Sequence, residues 1–184
     1  MNSQMTKSGA AEKCKTHGRY TVRCLDKNGK EKWSSVIHNI ICTEGKNLVL
    51  DVVFTPFGSV GRPLSHRMGL VSATGYTAIA AEDTVAGIGT TNGWDEATGL
   101  QLPDSDRRPV IWLAAAAGFK ETATSSFAIT ASGTVKGIFM VLGDSALGQT
   151  GDTDGALWSV GLFGDGNKTV VNGDYIEGAY AVQL

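Results

Sequence analysis

The chain has 184 residues, 42% of them apolar, with four prolines and a formal net charge of −2, so it can bury a core and lacks the charge excess of a disordered chain. Glycine fills 24 positions, about twice the usual share of roughly 7%. A glycine inside a helix costs about 1 kcal/mol relative to alanine, which excludes a helical bundle and points to a turn-rich, all-β domain.

No apolar run reaches ten residues, residues 110 to 117 being among the longest, whereas a membrane helix needs about 20. No membrane partner is expected. The first fifteen residues lack the apolar stretch of a secretory signal, so the expectation is synthesis and residence in a reducing cytosol. Cys14, Cys24 and Cys42 are odd in number and show no CxxC spacing, which predicts buried thiols rather than a disulfide framework.

Residues 1 to 17 are small and polar without periodicity and read as a flexible arm. Up to residue 46 nine Lys and Arg stand against four Asp and Glu, and beyond it seven stand against fourteen. A basic arm before an acidic body is either a solvated tail or a segment that docks on an acidic surface of a neighbouring copy. Scattered lysines without interleaved aromatics disfavour nucleic acid as the partner.

Residues 18 to 184 read as one β-sandwich domain. Asn28-Gly29 predicts a type I′ hairpin turn that sets Cys24 opposite Trp33, Val22 opposite Ser35 and Tyr20 opposite Ile37. Over residues 43 to 54, Thr43 can cap, Glu44 suits the positive end of a helix dipole, and Leu48/Val52 and Val49/Val53 repeat at i, i+4. A short helix closing one end of the sandwich is favoured, with a strand as the alternative. Residues 55 to 66 form a loop and 67 to 72 a strand. Residues 73 to 108 are a long surface loop of the kind that carries function. Strands are predicted at 110 to 117, 121 to 130, 134 to 142, 155 to 164 and 175 to 184, with turns between them. The stretch around Val135 and Leu142 is apolar on both faces, as expected between packed sheets.

Signals of catalysis are weak. His17, His38 and His66 are isolated, and His38 reads as a structural histidine inside a strand. Asp144, Asp152, Asp154 and Asp165 lie in glycine-rich turns that lack a full set of calcium ligands. The run from Gly161 to Thr169 departs from a phosphate loop by one residue and by its strand context, and reads as a hairpin turn. The expectation is a protein with no catalytic, metal or cofactor site.

Several landmarks together resemble small structural proteins of tailed bacteriophages. They are His38-Asn39-Ile40-Ile41-Cys42-Thr43-Glu44-Gly45, Met68-Gly69-Leu70-Val71 with Glu82-Asp83-Thr84, Gly93-Trp94-Asp95-Glu96, Arg108-Pro109, the run from Phe127 to Phe139, and Val171-Asn172-Gly173-Asp174. Within that group the pattern is most similar to capsid decoration, or cement, proteins, which implies a jelly-roll-like β-sandwich on the exterior of the virion. The implied partner is the major capsid protein, with self-association as a dimer or trimer. On that reading the contacts are expected in the arm (Lys13, Lys15, Arg19) and the long loop (Trp94, Arg107, Arg108), since exposed Trp and Arg are favoured interface anchors. For Trp94 the alternative is packing beneath its own loop, and Trp33, Trp112 and Trp158 are expected in the core. Two other functions compete: a tail or fibre protein binding glycans through Trp94, and a hydrolase using Asp152 and Asp154.

Overall fold

The computed structural model describes residues 17–54, 65–100, 107–143 and 151–183. Among these the elements run β1 (His17–Leu25), β2 (Glu31–His38), β3 (Ile40–Ile41), α1 (Thr43–Phe54), β4 (Ser65–Ser72), β5 (Arg108–Pro109), β6 (Phe119–Glu121), β7 (Ser125–Ala128), β8 (Gly133–Gly143), β9 (Ala156–Leu162), β10 (Lys168–Val170) and β11 (Tyr175–Gln183). They form two antiparallel sheets, an all-β architecture with one helix. The five-stranded sheet has the order β2-β1-β11-β6 with β7 also on β11, and the six-stranded sheet has the order β3-β9-β8-β4-β5 with β10 also on β8. The expected arm, with Lys13, Lys15 and Cys14, lies outside the described residues apart from His17.

The β1–β2 hairpin has the register expected from folding the chain about Asn28-Gly29, with Tyr20 opposite Ile37, Val22 opposite Ser35 and Cys24 opposite Trp33. Its turn is not type I′, because Gly29 has a positive φ (80°) and Asn28 does not. Asp26 organises it instead. Its carbonyl accepts the Gly29 N–H at 2.9 Å, and its carboxylate accepts those of Asn28 at 2.8 Å and Lys30 at 2.9 Å. The longer loop shifts the register between Cys24 and Leu25.

Helix α1 occupies the expected residues, and Leu48 and Val49 pack against the core between the sheets. Cys42, not Thr43, sits at its cap position: the Cys42 carbonyl accepts the Lys46 N–H at 3.1 Å, while the Thr43 N–H bonds the Ala81 carbonyl at 2.7 Å. Gly45 lets the helix touch β9, since a Cβ there would lie 2.7 Å from the Trp158 Cα.

Three strand expectations are corrected. Of residues 121 to 130 only 121, at the end of β6, and 125–128, as β7, lie in strands, and residues 110 to 117 do not form a core strand. The glycine-rich stretch after Leu162 is not a hairpin turn, because β9 and β10 run in the same direction along β8. Leu162 lies opposite Gly137 and Lys168 opposite Val135, so residues 163–167 interrupt one strand rather than reverse it.

Strand β8 explains the layering. Val135, Ile138, Met140 and Leu142 face the other sheet and meet Tyr20, Val22, Phe127, Ile176 and Tyr180. Phe139 and Val141 face the opposite way, with Val71, Leu157 and Val160. A shift between Met140 and Val141 leaves Trp158 unpaired and turns its side chain into the inter-sheet core. The outer apolar face is covered by residues 76–94, through Tyr76, Ile79, Val85, Ile88 and Trp94. Expected as a surface loop, this segment is a pad that forms a second core.

Polar bonds fix the pad. The Glu44 carboxylate accepts the N–H of Val85 at 3.1 Å and of Leu157 at 2.6 Å, linking helix, pad and β9. The Asp83 carboxylate accepts the Trp94 Nε1–H at 2.8 Å and the Ala80 N–H at 2.9 Å. At the pad's far end Arg107, fully buried, pairs with Glu96 at 2.9 Å and donates to the Asp152 carbonyl at 2.9 Å, with its guanidinium 5.4 Å from the Phe139 ring centre. The Gly151 N–H also bonds Glu96, at 3.0 Å.

Removing one partner of such a pair leaves a buried charge without compensation. Arg107→Met is therefore expected to destabilise the fold by about 3–5 kcal/mol, and Arg107→Met with Glu96→Leu to recover most of that loss. Urea midpoints of the two variants check this, and equal destabilisation by both would count against it.

Candidate interaction surface

After β5 the chain leaves the six-stranded sheet and turns outward. Val110 still donates to the His66 carbonyl at 2.9 Å. Residues 111–116 then pair with β6 and its continuation in a narrow ribbon. Leu113 donates to the Glu121 carbonyl at 2.8 Å, Ala123 to the Ile111 carbonyl at 2.8 Å, and Ala116 and Phe119 exchange two bonds of 2.9 Å. Between those last two residues Ala117 and Gly118 have φ of 49° and 74°, the two positive values that a type I′ turn requires. The tight hairpin expected at Asn28-Gly29 is found here instead.

Alternation along the ribbon sorts its side chains. Trp112 turns inward and meets His66 edge-on at 5.9 Å and Tyr180 at 6.1 Å between ring centres. Ile111 and Leu113 turn to solvent, 67% and 44% exposed, followed by the exposed residues 114–118, all Ala or Gly. Residues 111–118 thus form a lip with no charged side chain. Inside the lip an apolar cleft of about 430 Å³ opens between the ribbon and α1, lined by Trp112, Phe119, Leu142, Trp158, Val182 and Val49. Lys120 stands at the cleft, its ammonium 5.8 Å from the Trp112 ring centre and bonded to the Leu113 carbonyl at 3.2 Å.

The residues expected to make partner contacts do not converge. Trp94 is only 1% exposed and its ring packs on Phe139 at 5.2 Å, so it packs beneath its own loop and is not an exposed anchor. Arg107, at 0% exposure, is likewise corrected from interface anchor to internal ion pair. Arg108 is half-buried in β5, and Arg19 is exposed on the outer face of β1, on the other sheet. Trp158 is in the core, while Trp33 and Trp112 are half-buried against it. His38, expected as a structural histidine, is exposed at the end of β2.

Several other polar groups are engaged internally. Ser159 is buried with its Oγ 2.6 Å from the Tyr20 hydroxyl, and Trp158 Nε1 donates to the Tyr180 hydroxyl at 2.9 Å. Burial pushes the Tyr20 phenol well above its ordinary value, so it serves as a neutral hydrogen-bonding group. Burial also raises the thiols, Cys24 to about 11 and Cys42 to about 12, in line with the buried thiols expected there. Asp152 accepts the Asp154 N–H at 3.1 Å, Asp165 pairs with Lys168, and Asp144 lies outside the described residues. Among the described residues no group of three or more His, Cys, Asp or Glu is placed to hold a metal ion, and no helix is long and apolar enough to cross a membrane.

The lip was hidden in sequence because its apolar run matched a core strand. The signal against that reading was four consecutive alanines before a glycine, a run with no β-branched residue. Comparison with family models, with curated proteins and with solved structures finds no match.

Burial, aided by the Lys120 ammonium, lowers the His66 pKa. The fold therefore favours the neutral imidazole. This contribution is complete above the unfolded value of about 6.5 and is lost as pH falls through the lower folded value. Urea midpoints compared between about pH 7.5 and about pH 5 should fall more steeply for the wild type than for His66→Phe, and parallel slopes would contradict the assignment.

Proposed function

We propose that this chain is a structural protein of a bacteriophage virion: a capsid decoration, or cement, protein that binds the assembled lattice of the major capsid protein. The observation that carries this reading is the uncharged, exposed lip at residues 111–118 beside an apolar cleft. A contiguous apolar surface of this kind is an interaction site. Its ladder bonds hold it in shape, so little ordering entropy is lost on docking.

The class of partner comes from the resemblance of the segment pattern to decoration proteins. A jelly-roll-like topology belongs to the same reading. The first and last strands, β1 and β11, pair inside one sheet while the chain passes repeatedly between the two. Decoration calls on no reacting group, since a protein that binds only the assembled shell stabilises it by its binding free energy. A glycan-binding role at a tail or fibre rested on Trp94, whose ring is stacked under the pad and offers no face to a sugar.

Purified protein mixed with expanded, undecorated shells should co-sediment stoichiometrically at physiological salt. Failure of the wild type to do so would overturn the reading. Ile111→Asp combined with Leu113→Asp should weaken binding about thirtyfold or more, the scale of an interface hot spot. The urea midpoint should hold, because both side chains are exposed. Unchanged shell binding by that variant would remove the lip from the interface.

A further inference from the structure

Strand β2 is the outer strand of the five-stranded sheet. The Asn39 N–H reaches back to the Gly18 carbonyl at 3.4 Å, on the β1 side. Alternate residues of a strand direct their backbone groups to opposite edges. Ile37, Ser35 and Trp33, opposite Tyr20, Val22 and Cys24, therefore face β1 as well. The N–H and C=O groups of Ser34, Val36 and His38 point outward, and no strand among the described residues pairs with them. The side chains of all three are exposed, Val36 to 58%.

Natural sheets protect such an edge with charges, proline or a bulge. From Trp33 to His38 the sequence is Trp-Ser-Ser-Val-Ile-His, with no acidic residue, lysine, arginine or proline. The register shift of the hairpin lies before this run, and the Lys32 ammonium is drawn aside to the Asp174 carboxylate at 2.5 Å. Among the described residues, an eight-residue strand is thus left with an open, uncharged edge over most of its length.

We propose that β2 pairs antiparallel with β2 of a second copy, about a two-fold axis at Ser35, joining the two five-stranded sheets edge to edge. Parity restricts the register, because the outward hydrogen bonds can only link members of the Ser34, Val36 and His38 set to one another. Centring on Ser35 pairs Ser34 with Val36 of the second copy in both directions and sets Trp33 against its Ile37. No two charges oppose each other over residues 33–37. The two-fold axis makes each contact occur twice, as an isologous interface requires. The interface lies on a different sheet edge from the apolar lip, so it is independent of the lattice reading.

Sedimentation equilibrium of the full chain tests this without shells. The wild type should be a dimer at about 100 µM, and a monomer there would overturn the proposal. Val36→Pro and Ser34→Pro each remove one outward N–H and leave the β1 ladder intact. Both should weaken dimerisation about a hundredfold or more. Val36→Lys, which keeps the backbone donor and charges the edge, should weaken it too and covers the case in which a proline variant fails to fold. Dimerisation at wild-type strength in folded proline and lysine variants would refute β2 pairing. The register has its own readout in a Cys14→Ser background. Ser35→Cys meets its counterpart across the axis as a non-hydrogen-bonded pair, about 4.5 Å between Cα atoms, within disulfide range, and should cross-link on mild oxidation. Ser34→Cys, facing Val36, should not. Cross-linking through position 34 but not 35 would overturn the Ser35 axis.

Discussion

Strand β8 is apolar on both faces, and most of the architecture follows from covering both. One face is met by the five-stranded sheet, as in any two-layer sandwich. The other carries Phe139 and Val141, with Val71, Leu157 and Val160 beside them, and no third sheet exists among the described residues to bury it. A segment without regular strands does so instead. Irregular backbone over a core must find partners for its polar groups, and this pad finds them within itself, in side chains and in the Thr43 N–H of α1.

Carboxylates do much of that work. Glu44, Asp83 and Glu96 each accept two or more N–H groups, and each stands where the pad touches something rigid: helix and β9, the Trp94 indole, and the Arg107 guanidinium. Through Asp83 and Glu96, the acidic balance of the chain beyond residue 46 is partly internal. The ion pair adds orientation more than stability, because bringing two charges out of water offsets most of their attraction. What it fixes is the position of the pad's end against Phe139 and the Asp152 turn.

Sequence periodicity revealed what local patterning controls. The β1–β2 register followed from centring the hairpin on Asn28-Gly29, and the helix from the i, i+4 repeat of Leu48, Val49, Val52 and Val53. Turn geometry was less accessible, because the Asp26 carboxylate captures two N–H groups and overrides the Asn-Gly preference. The same limit moved the type I′ turn to Ala117-Gly118, where ribbon pairing imposes a positive φ on alanine. Roles set by distant contacts were illegible. Nothing beside Trp94 announces that Asp83 will bond its indole beneath a pad, or that Arg107 will be paired rather than exposed. The lip at 111–118 has the composition of a core strand and differs only in what lies across from it.

The Glu44 carboxylate also constrains the order in which the chain assembles. It joins Val85 and Leu157, 41 and 113 residues away, so neither bond forms until segments far apart in sequence have met. Closing loops of that length early is entropically costly. The β1–β2 hairpin closes a short loop, whereas the Glu44 bonds are complete only when α1, the pad and β9 are together. A chain whose pad has not closed carries the bare outer face of β8, with Phe139 and Val141. Such a species is prone to aggregate, and the rate of pad closure sets how long it persists.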